Sequence, residues 1–244
     1  MSAEKANWND VKERLLRDRA ELEGVSVEEL LQRQSAENED EALRKREFAA
    51  ERLLKRLEAV IPPRYRDANL DILANETQRN AAPDAISFVD DVLRNGIHGQ
   101  GILITGSVGI GKTHLAYAVL RNLLTANVAC AATTCSILFY AIREAFSTNA
   151  TAPIIEPLRS APVLLLDDFG SEAPKEWILD TMLAIVQHRY ENCLVNVVTT
   201  NLNLSEMEKR AVGQDQMARL YDRILEMTPS VIVLTGKSLR HDRS

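Results

Sequence analysis

The sequence predicts an α/β fold built on a parallel β-sheet. From residue 101 onward, short uninterrupted runs of Val, Ile and Leu alternate with stretches of helical periodicity. Strands that are apolar on both faces are typical of a parallel sheet that helices cover on both sides. A glycine-rich loop follows the first apolar run, at the kind of strand end where such sheets bind ligands.

The strands and helices follow in order along the chain. The predicted strands are 101–105, 128–134, 163–167, 194–200 and 231–234. The predicted helices between them are 112–125, one that begins near residue 136, 177–190 and 215–227. An apolar content of 45% is enough to bury a sizeable core, which excludes a disordered chain.

Charge density divides the chain into an arm, 1–61, and a globular domain, 62–244. The first 61 residues have 27 charged side chains, whereas the remaining 183 have 37. Helical spacing of apolar residues in the arm stops before Gly24, and a second stripe ends at Pro62, where a helix cannot continue. This stripe either packs on the core or docks a partner or a second copy, and both interpretations stay open.

Composition excludes several classes of function. No apolar run approaches the roughly 18 residues of a membrane span, and the first residues lack the apolar stretch of a secretory signal. The three cysteines have no paired spacing and the four histidines are scattered, so we expect reduced thiols, no structural zinc site and a cytoplasmic location. A net charge of −6 argues against wrapping of DNA by charge alone, although it permits a local basic path.

A phosphate-binding loop occupies the junction between the first strand and its helix. The motif G-x-x-x-x-G-K-[ST] is matched in full by Gly106, Ser107, Val108, Gly109, Ile110, Gly111, Lys112 and Thr113. Glycines allow successive backbone N–H groups to converge on phosphate oxygens. Lys112 is expected to meet the β- and γ-phosphates and Thr113 to bind Mg²⁺. The sequence therefore predicts binding of a nucleoside triphosphate.

Acidic and amide side chains follow the third and fourth strands. Asp167 and Asp168 end the third strand, where we expect Asp167 to hold Mg²⁺ and Asp168 to polarise the attacking water. Many ATPases of this type have Glu at the second position, and the shorter Asp is expected to slow hydrolysis. Asn201 ends the fourth strand and is a candidate to orient that water or to sense the γ-phosphate, or else a turn-forming residue.

Five motifs together resemble a known family. The segments GSVGIGKTH, LLLDDFG, VVTTN, RLYDRILEM and VIVLTGKSLR are similar in order and spacing to AAA+ ATPases of the DnaC/DnaI-type helicase-loader and IstB-type transposition-helper group, over about residues 62–240. The resemblance implies a P-loop AAA+ core with a five-stranded sheet ordered 5-1-4-3-2. It also implies ATP sites that neighbouring subunits of a helical or spiral oligomer share.

The resemblance also suggests roles for individual residues. Arg223 matches the arginine finger that a neighbouring subunit supplies, and Arg219, four residues earlier on the helix, is the rival candidate. Arg240 falls at a further nucleotide-sensing position, and His114 extends the phosphate loop. Tyr65 lies where this family passes the chain beside adenine, although a ring tucked into the core is the alternative.

Two further expectations concern the end of the chain and nucleic acid. Only ten residues follow the fifth strand, so we expect no C-terminal lid domain. By analogy with the loader branch, single-stranded DNA is expected to contact Phe146, Trp177 and Lys175, whereas Phe139 and Tyr140 are expected in the core.

The functional hypothesis is a Mg²⁺-dependent ATPase that loads a hexameric replicative helicase onto single-stranded DNA. The arm would dock the helicase, and ATP would drive self-association. The alternative is an IstB-type ATPase helper of a DNA transposase, which would bend duplex DNA and carry a more basic face. Acidity and the long charged arm favour the loader, and a metabolic phosphotransferase is disfavoured because no Arg-rich lid insertion follows the third strand.

Overall fold

The computed structural model describes residues 8–73, 75–148, 152–171, 176–236 and 238. The chain divides into two compact units, Met1–Leu54 and Lys55–Ser244. No helix within the described ranges is long and apolar enough to cross a membrane.

From residue 8, the described N-terminal region contains helices α1 and α2. Helix α1 (Trp8–Glu23) ends at Gly24, whose φ of 68° reverses the chain, as the spacing predicted. Helix α2 (Val27–Val60) begins at Ser26, whose Oγ accepts from the Glu29 amide at 3.0 Å, and it ends before Pro62, as predicted. The predicted boundary after residue 61 coincides with the end of α2, whereas the compact units separate at Leu54.

The C-terminal unit contains the sheet and its helices. After a short 3₁₀ turn (Pro63–Tyr65), its elements are α3 (Glu76–Asn95), β1 (Ile102–Gly106), α4 (Lys112–Thr125), β2 (Cys130–Thr134), α5 (Cys135–Thr148), α6 (Ala152–Ser160), β3 (Val163–Phe169), α7 (Glu176–Glu191), β4 (Val195–Thr200), α8 (Leu204–Ala211), α9 (Asp215–Met227) and β5 (Ser230–Leu234). All five predicted strands are confirmed, each within two residues of its expected start.

The sheet is parallel, and its strands lie in the order β2-β3-β4-β1-β5, which confirms the predicted order 5-1-4-3-2. Alternate residues of β1, β3 and β4 belong to two separate core clusters. Ile102 and Ile104 join the cluster of α3 and α4, whereas Leu103 joins the cluster of α5, α7 and α9. This alternation follows from the two-residue period of a strand, and it places β1 and its loop between two helical layers.

Helices α3, α6 and α8 were not predicted. Asn75 caps α3 by accepting from the Gln78 amide at 2.7 Å, and Ala81, Ala85 and Val89 recur at helical spacing. Pro83 lies inside this helix, and a proline ordinarily argues against a helical assignment. The helix nevertheless brings its first turn to the phosphate loop, as the site geometry shows.

A buried arginine holds α6 against the sheet. Arg189 of α7 is fully buried and donates to the carbonyls of Leu158 and Ala161 at 2.9 and 2.7 Å, at and just after the end of α6. It also donates to Asn196 Oδ1 and the Val195 carbonyl on β4, at 2.7 and 2.6 Å. Burial lowers the pKa of Arg189 to about 9, so the guanidinium remains charged at neutral pH and the carbonyl oxygens stabilise its charge.

Candidate nucleotide-binding site

The phosphate loop connects β1 to α4 at the carboxyl edge of the sheet. Gly106 opens it with a φ of 149°, and a Cβ at this position would collide with the Leu234 carbonyl of the neighbouring strand. The close approach of β1 and β5 therefore requires glycine at this position, independently of whether phosphate binding also requires it. Helix α4 begins at Lys112, so its N-terminal backbone amides face the loop.

Lys112 is buried and makes three hydrogen bonds through its ammonium group. Nζ donates to the carbonyls of Gly106 and Ser107 at 2.8 and 2.9 Å, and to Asn201 Oδ1 at 2.5 Å. An ammonium group has three N–H donors. These three bonds therefore place the positive charge inside the curve of the loop, beside the end of β4.

Asp167 connects the loop helix to the sheet. Its Oδ1 accepts from the Thr113 hydroxyl at 2.9 Å and from the Thr199 hydroxyl at 2.6 Å. Burial raises the pKa of the Asp167 carboxyl, and the two hydroxyl bonds act in the opposite direction. One carboxylate oxygen thereby fixes the first turn of α4 relative to β3 and β4.

Asp168 adopts an unusual backbone conformation. Its φ is 58°, and the register between β3 and β4 shifts between Leu166 and Phe169. Asp and Asn tolerate this left-handed region better than Glu because their short side chains bond locally. The backbone thus favours Asp over Glu at this position.

Asn201 links Asp168 to the phosphate-loop lysine. Its Nδ2 donates to Asp168 Oδ1 at 2.8 Å while its Oδ1 accepts from Lys112. Both ends of one amide are therefore engaged, and the three side chains form a continuous network at the strand ends. The predicted residues of the phosphate loop, the third strand and the fourth strand meet in one place.

A cavity of about 800 Å³ opens beside this network. Its lining includes Arg64, Tyr65, Gln78, Val108, Gly109, Gly111, Lys112, Thr113, His114, Thr134, Ser136, Asp167, Asp168, Thr199 and Asn201. The volume lies within the range of ordinary small-molecule and cofactor sites. Positive and negative side chains are both present, as a magnesium nucleotide requires.

Aromatic side chains form one side of the cavity. Tyr65 stacks on Tyr117 with ring centroids 4.8 Å apart and lies edge-on to His114 at 6.5 Å. Tyr65 is half-buried, so both proposed features of its ring, contact with the core and access to the cavity, are present. Burial lowers the pKa of His114, so the imidazole is neutral at pH 7, and burial raises the pKa of Tyr117 to about 12.

The other predicted residues of the loop contribute differently. Ile110 is buried in the core cluster of α3 and α4, so only its backbone can face a ligand, whereas the Val108 side chain is exposed. Gly106 and Ser107 contribute the carbonyls that hold Lys112.

Arg223 and Trp177, which were also predicted, are not among the residues that line this cavity. Arg223 is on α9, with its guanidinium 3.8 Å from the ring centre of Tyr190 and 2.6 Å from Glu226 Oε2. Trp177 is half-buried against the core at the start of α7. Arg240 and Lys175 lie outside the described residues, as does the side chain of Phe146.

Magnesium fits the oxygen atoms at the loop. Thr113 Oγ1 and Asp167 Oδ1 are adjacent, and hydroxyl and carboxylate oxygens are ligands that Mg²⁺ prefers, together with substrate phosphates and water. Thr113 would bind the ion directly, and Asp167 would hold it directly or through water.

Five residues that line the cavity were not predicted as site residues: Arg64, Gln78, Thr134, Ser136 and Thr199. Thr199 was part of the fourth-strand motif, but a threonine in an apolar strand gave no sign that it would bond Asp167. Gln78 lies in the segment between Pro62 and β1 for which no helix was predicted. The capping pattern from Asn75 to Gln78 was the available signal.

The fold and the site together define a P-loop nucleotide-binding protein with an AAA+-type sheet. The model of the family described as IstB-like ATP binding protein matches residues 67–244. The chain therefore belongs to this ATP-binding family.

Curated relatives include helicase loaders. The replicative helicase loader DnaI of Bacillus subtilis is 27% identical over 157 residues, which are 59% of this chain and 48% of that protein. The replicative helicase loader DnaC of Escherichia coli K12 is 25% identical over 147 residues, 59% of this chain and 58% of that protein. The matches thus span only about half of each relative's length.

Solved structures support the same fold. The crystal structure of the DnaC helicase loader is 29% identical with a TM-score of 0.58, covering 71% of this chain and 99% of that one. The crystal structure of DnaI has a TM-score of 0.60 at 24% identity, covering 75% of this chain and 98% of that one, and shows likeness of fold alone.

The geometry of Lys112 predicts the effect of its removal. Lys112→Ala should weaken ATP binding about 10- to 100-fold, because hydrogen bonds to charged groups contribute about 1.5–3 kcal/mol. Titration with a fluorescent ATP analogue measures this change, and exposed Lys209 provides the matched control, Lys209→Ala. Equal affinities of the two variants would contradict the assignment of the phosphate loop.

Proposed function

We propose that the protein hydrolyses ATP with Mg²⁺ and uses the cycle to load a replicative helicase onto single-stranded DNA. The hydrolytic part rests on one observation, the network in which Asn201 bonds both Lys112 and Asp168. The loading part is supported by the helicase-loader relatives. Magnesium would neutralise charge on the β- and γ-phosphates.

The network suggests how phosphate binding reaches the catalytic base. All three N–H donors of Lys112 already have acceptors, so contact with a phosphate must replace at least one of those bonds. Release of Asn201 Oδ1 would free the amide that also holds the Asp168 carboxylate. Asp168 would then accept a proton from the water that attacks the γ-phosphate. Asn201 therefore couples occupancy of the loop to the orientation of the base.

Asp168→Asn should retain ATP binding and lose hydrolysis by about 10²–10⁴-fold, the usual contribution of a general base. Asn has the same shape, tolerates the left-handed φ of 58° and keeps an oxygen for the bond from Asn201. Steady-state phosphate release measures the rate, with Asp84→Asn on the exposed face of α3 as the control. Turnover at the parental rate would show that another group activates the water.

Arg223 is proposed to complete the site of a neighbouring subunit. It is half-buried on α9, and Glu226 and Tyr190 fix its guanidinium at the surface. Charge-assisted hydrogen bonding and the aromatic face reduce the number of conformations open to this long side chain. An arginine held in this way suits a role as a charge presented across a subunit boundary.

Arg223→Ala should bind ATP normally but hydrolyse it about 10³–10⁵-fold more slowly, the contribution of arginine fingers in other systems. Mixing this variant with Lys112→Ala should restore part of the activity, because some interfaces then pair an intact loop with an intact Arg223. Lys209→Ala, on exposed Lys209, is the matched control, and Arg219→Ala tests the rival candidate in the same assay. A mixture that assembles and yet stays inactive would exclude action across the boundary.

Nucleic-acid contact remains a proposal for Phe146, Trp177 and Lys175. The structure adds Tyr140 on α5, which was expected in the core but is 57% exposed, with the Arg143 guanidinium 5.6 Å from its ring centre. Phe139, by contrast, is buried as expected. An exposed ring beside a cation is the kind of surface on which single-stranded bases stack.

The second candidate is an ATPase helper of a DNA transposase. It is favoured by the family model, which describes an IstB-like protein. The two candidates differ in partner and in DNA, because a loader binds a helicase and single strands whereas a helper bends duplex DNA. The net charge of −6 and the charged N-terminal region favour the loader.

Removal of residues 1–54 should abolish binding to the replicative helicase encoded by the same genome while ATP affinity stays within about twofold. The deletion stops at Leu54 because Leu57, Val60 and Ile61 pack on the core of the ATP-binding unit. Size-exclusion chromatography of the mixed proteins measures co-elution, with the full chain as the control. Failure of the full chain to co-elute, combined with ATP-dependent bending of duplex DNA, would favour the transposition helper.

A further inference from the structure

Gln78 is a buried amide at the edge of the nucleotide cavity. It is the third residue of α3, only 1% of its surface is exposed, and it lines the cavity together with Tyr65 and His114. Amides are uncommon at such burial unless they are hydrogen-bonded. The position of this side chain therefore calls for a physical explanation.

The amide is only half satisfied. Nε2 donates to the Gly111 carbonyl at 3.0 Å, but Oε1 is buried and has no hydrogen-bond partner among the described residues. A buried acceptor without a donor destabilises the protein until something donates to it. Because Gln78 lines the cavity, a ligand in the cavity is in a position to supply that donor.

The orientation of the amide is fixed by its surroundings. Turning it over would break the bond to Gly111 and place Oε1 against the Gly111 carbonyl, so that two acceptors would face each other. The backbone of Gln78 is held by Asn75, whose Oδ1 accepts from the Gln78 amide at 2.7 Å. Gly111 has a φ of 106°, which favours glycine, and a Cβ there would force the Gln78 amide to shift. The group of the Gln78 amide left without a partner is thus an acceptor and not a donor.

We infer that Gln78 selects the base of the nucleotide, with Oε1 accepting a hydrogen bond from the exocyclic amino group of adenine. The inference rests on the proposed binding of ATP in this cavity. A purine with a carbonyl at C6, as in guanine or hypoxanthine, would set an acceptor against Oε1. The amide cannot turn over to offer a donor without losing its hydrogen bond to the Gly111 carbonyl. Tyr65 and His114 line the same cavity, so their rings provide surfaces for the faces of the base while Gln78 contacts its edge.

The unmodified full-length protein provides the first test. Affinities for ATP, inosine triphosphate and purine riboside triphosphate are measured by competition against an ATP analogue labelled on the ribose. The three bases carry an amino group, a carbonyl and hydrogen at C6. We expect ATP to bind about threefold to tenfold more tightly than purine riboside triphosphate, and inosine triphosphate to bind most weakly, at least about tenfold below ATP. Equal affinity for ATP and inosine triphosphate would overturn the inference.

Gln78→Met provides the second test, because Met has a similar length and lacks the acceptor. The variant should bind ATP about threefold to tenfold more weakly, and its preference for ATP over inosine triphosphate should fall to within about twofold. Gln100→Met is the matched control, since Gln100 is exposed just before β1, at the opposite end of that strand from the loop. The control should keep the parental preference.

The outcomes separate this inference from the proposed function. If the unmodified protein binds none of the three nucleotides, the proposed ATPase function fails. If it binds ATP and Gln78→Met keeps the full preference for ATP, only the role of Gln78 fails. Thermal unfolding with and without nucleotide identifies a variant that does not fold, and in that case the order of the three affinities in the unmodified protein decides alone.

Discussion

The two hydroxyl bonds to Asp167 Oδ1 are the interaction on which the rest of the site depends. Thr113 donates from the helix that follows the phosphate loop and Thr199 from β4, so three segments distant in sequence meet on one oxygen. Burial raises the pKa of this carboxyl, and the hydroxyl bonds offset part of that effect. A carboxylate at 6% exposure is tolerated because it is bonded in this way, and it fixes where the loop faces the strand ends.

Beside Asp167 lies the hydrogen-bond network of Asp168, Asn201 and Lys112. The backbone of Asp168 departs from the strand with a φ of 58°, and its amide donates to Thr199 Oγ1 at 2.9 Å. Thr199 thus bonds both acidic residues, while Asn201 bonds Asp168 and Lys112. Strained backbone at a functional site is retained when its surroundings determine it, as these bonds do. Asp167 and Asp168 are therefore linked through Thr199, and in the proposed mechanism phosphate contact with Lys112 would act on Asp168 through Asn201.

Much of this architecture could be predicted from sequence, and the limits have physical causes. Apolar runs predicted the strands because burial on both faces leaves a signal in composition, and the loop motif predicted its own position. Helix α3 was not predicted because Pro83 interrupts its helical pattern. Packing of its buried side chains nevertheless stabilises the helix. The exposure of Tyr140 was not predicted, because the sequence of an apolar helix does not show which of its faces a neighbouring element covers. No residue pattern indicates the left-handed backbone of Asp168.

Gly111 joins the two ends of the nucleotide site. Its peptide is the last of the phosphate loop before Lys112, and its carbonyl accepts both the first bond of α4, from Leu115, and the bond from Gln78 Nε2. A change in the loop therefore moves the acceptor that orients the Gln78 amide. If Gln78 reads the base as inferred, base binding and phosphate binding share one peptide group and would affect each other reciprocally. Glycine at position 111 therefore has two roles. It allows the backbone angle that the phosphate loop needs, and it leaves space for the Gln78 amide that is inferred to contact the base.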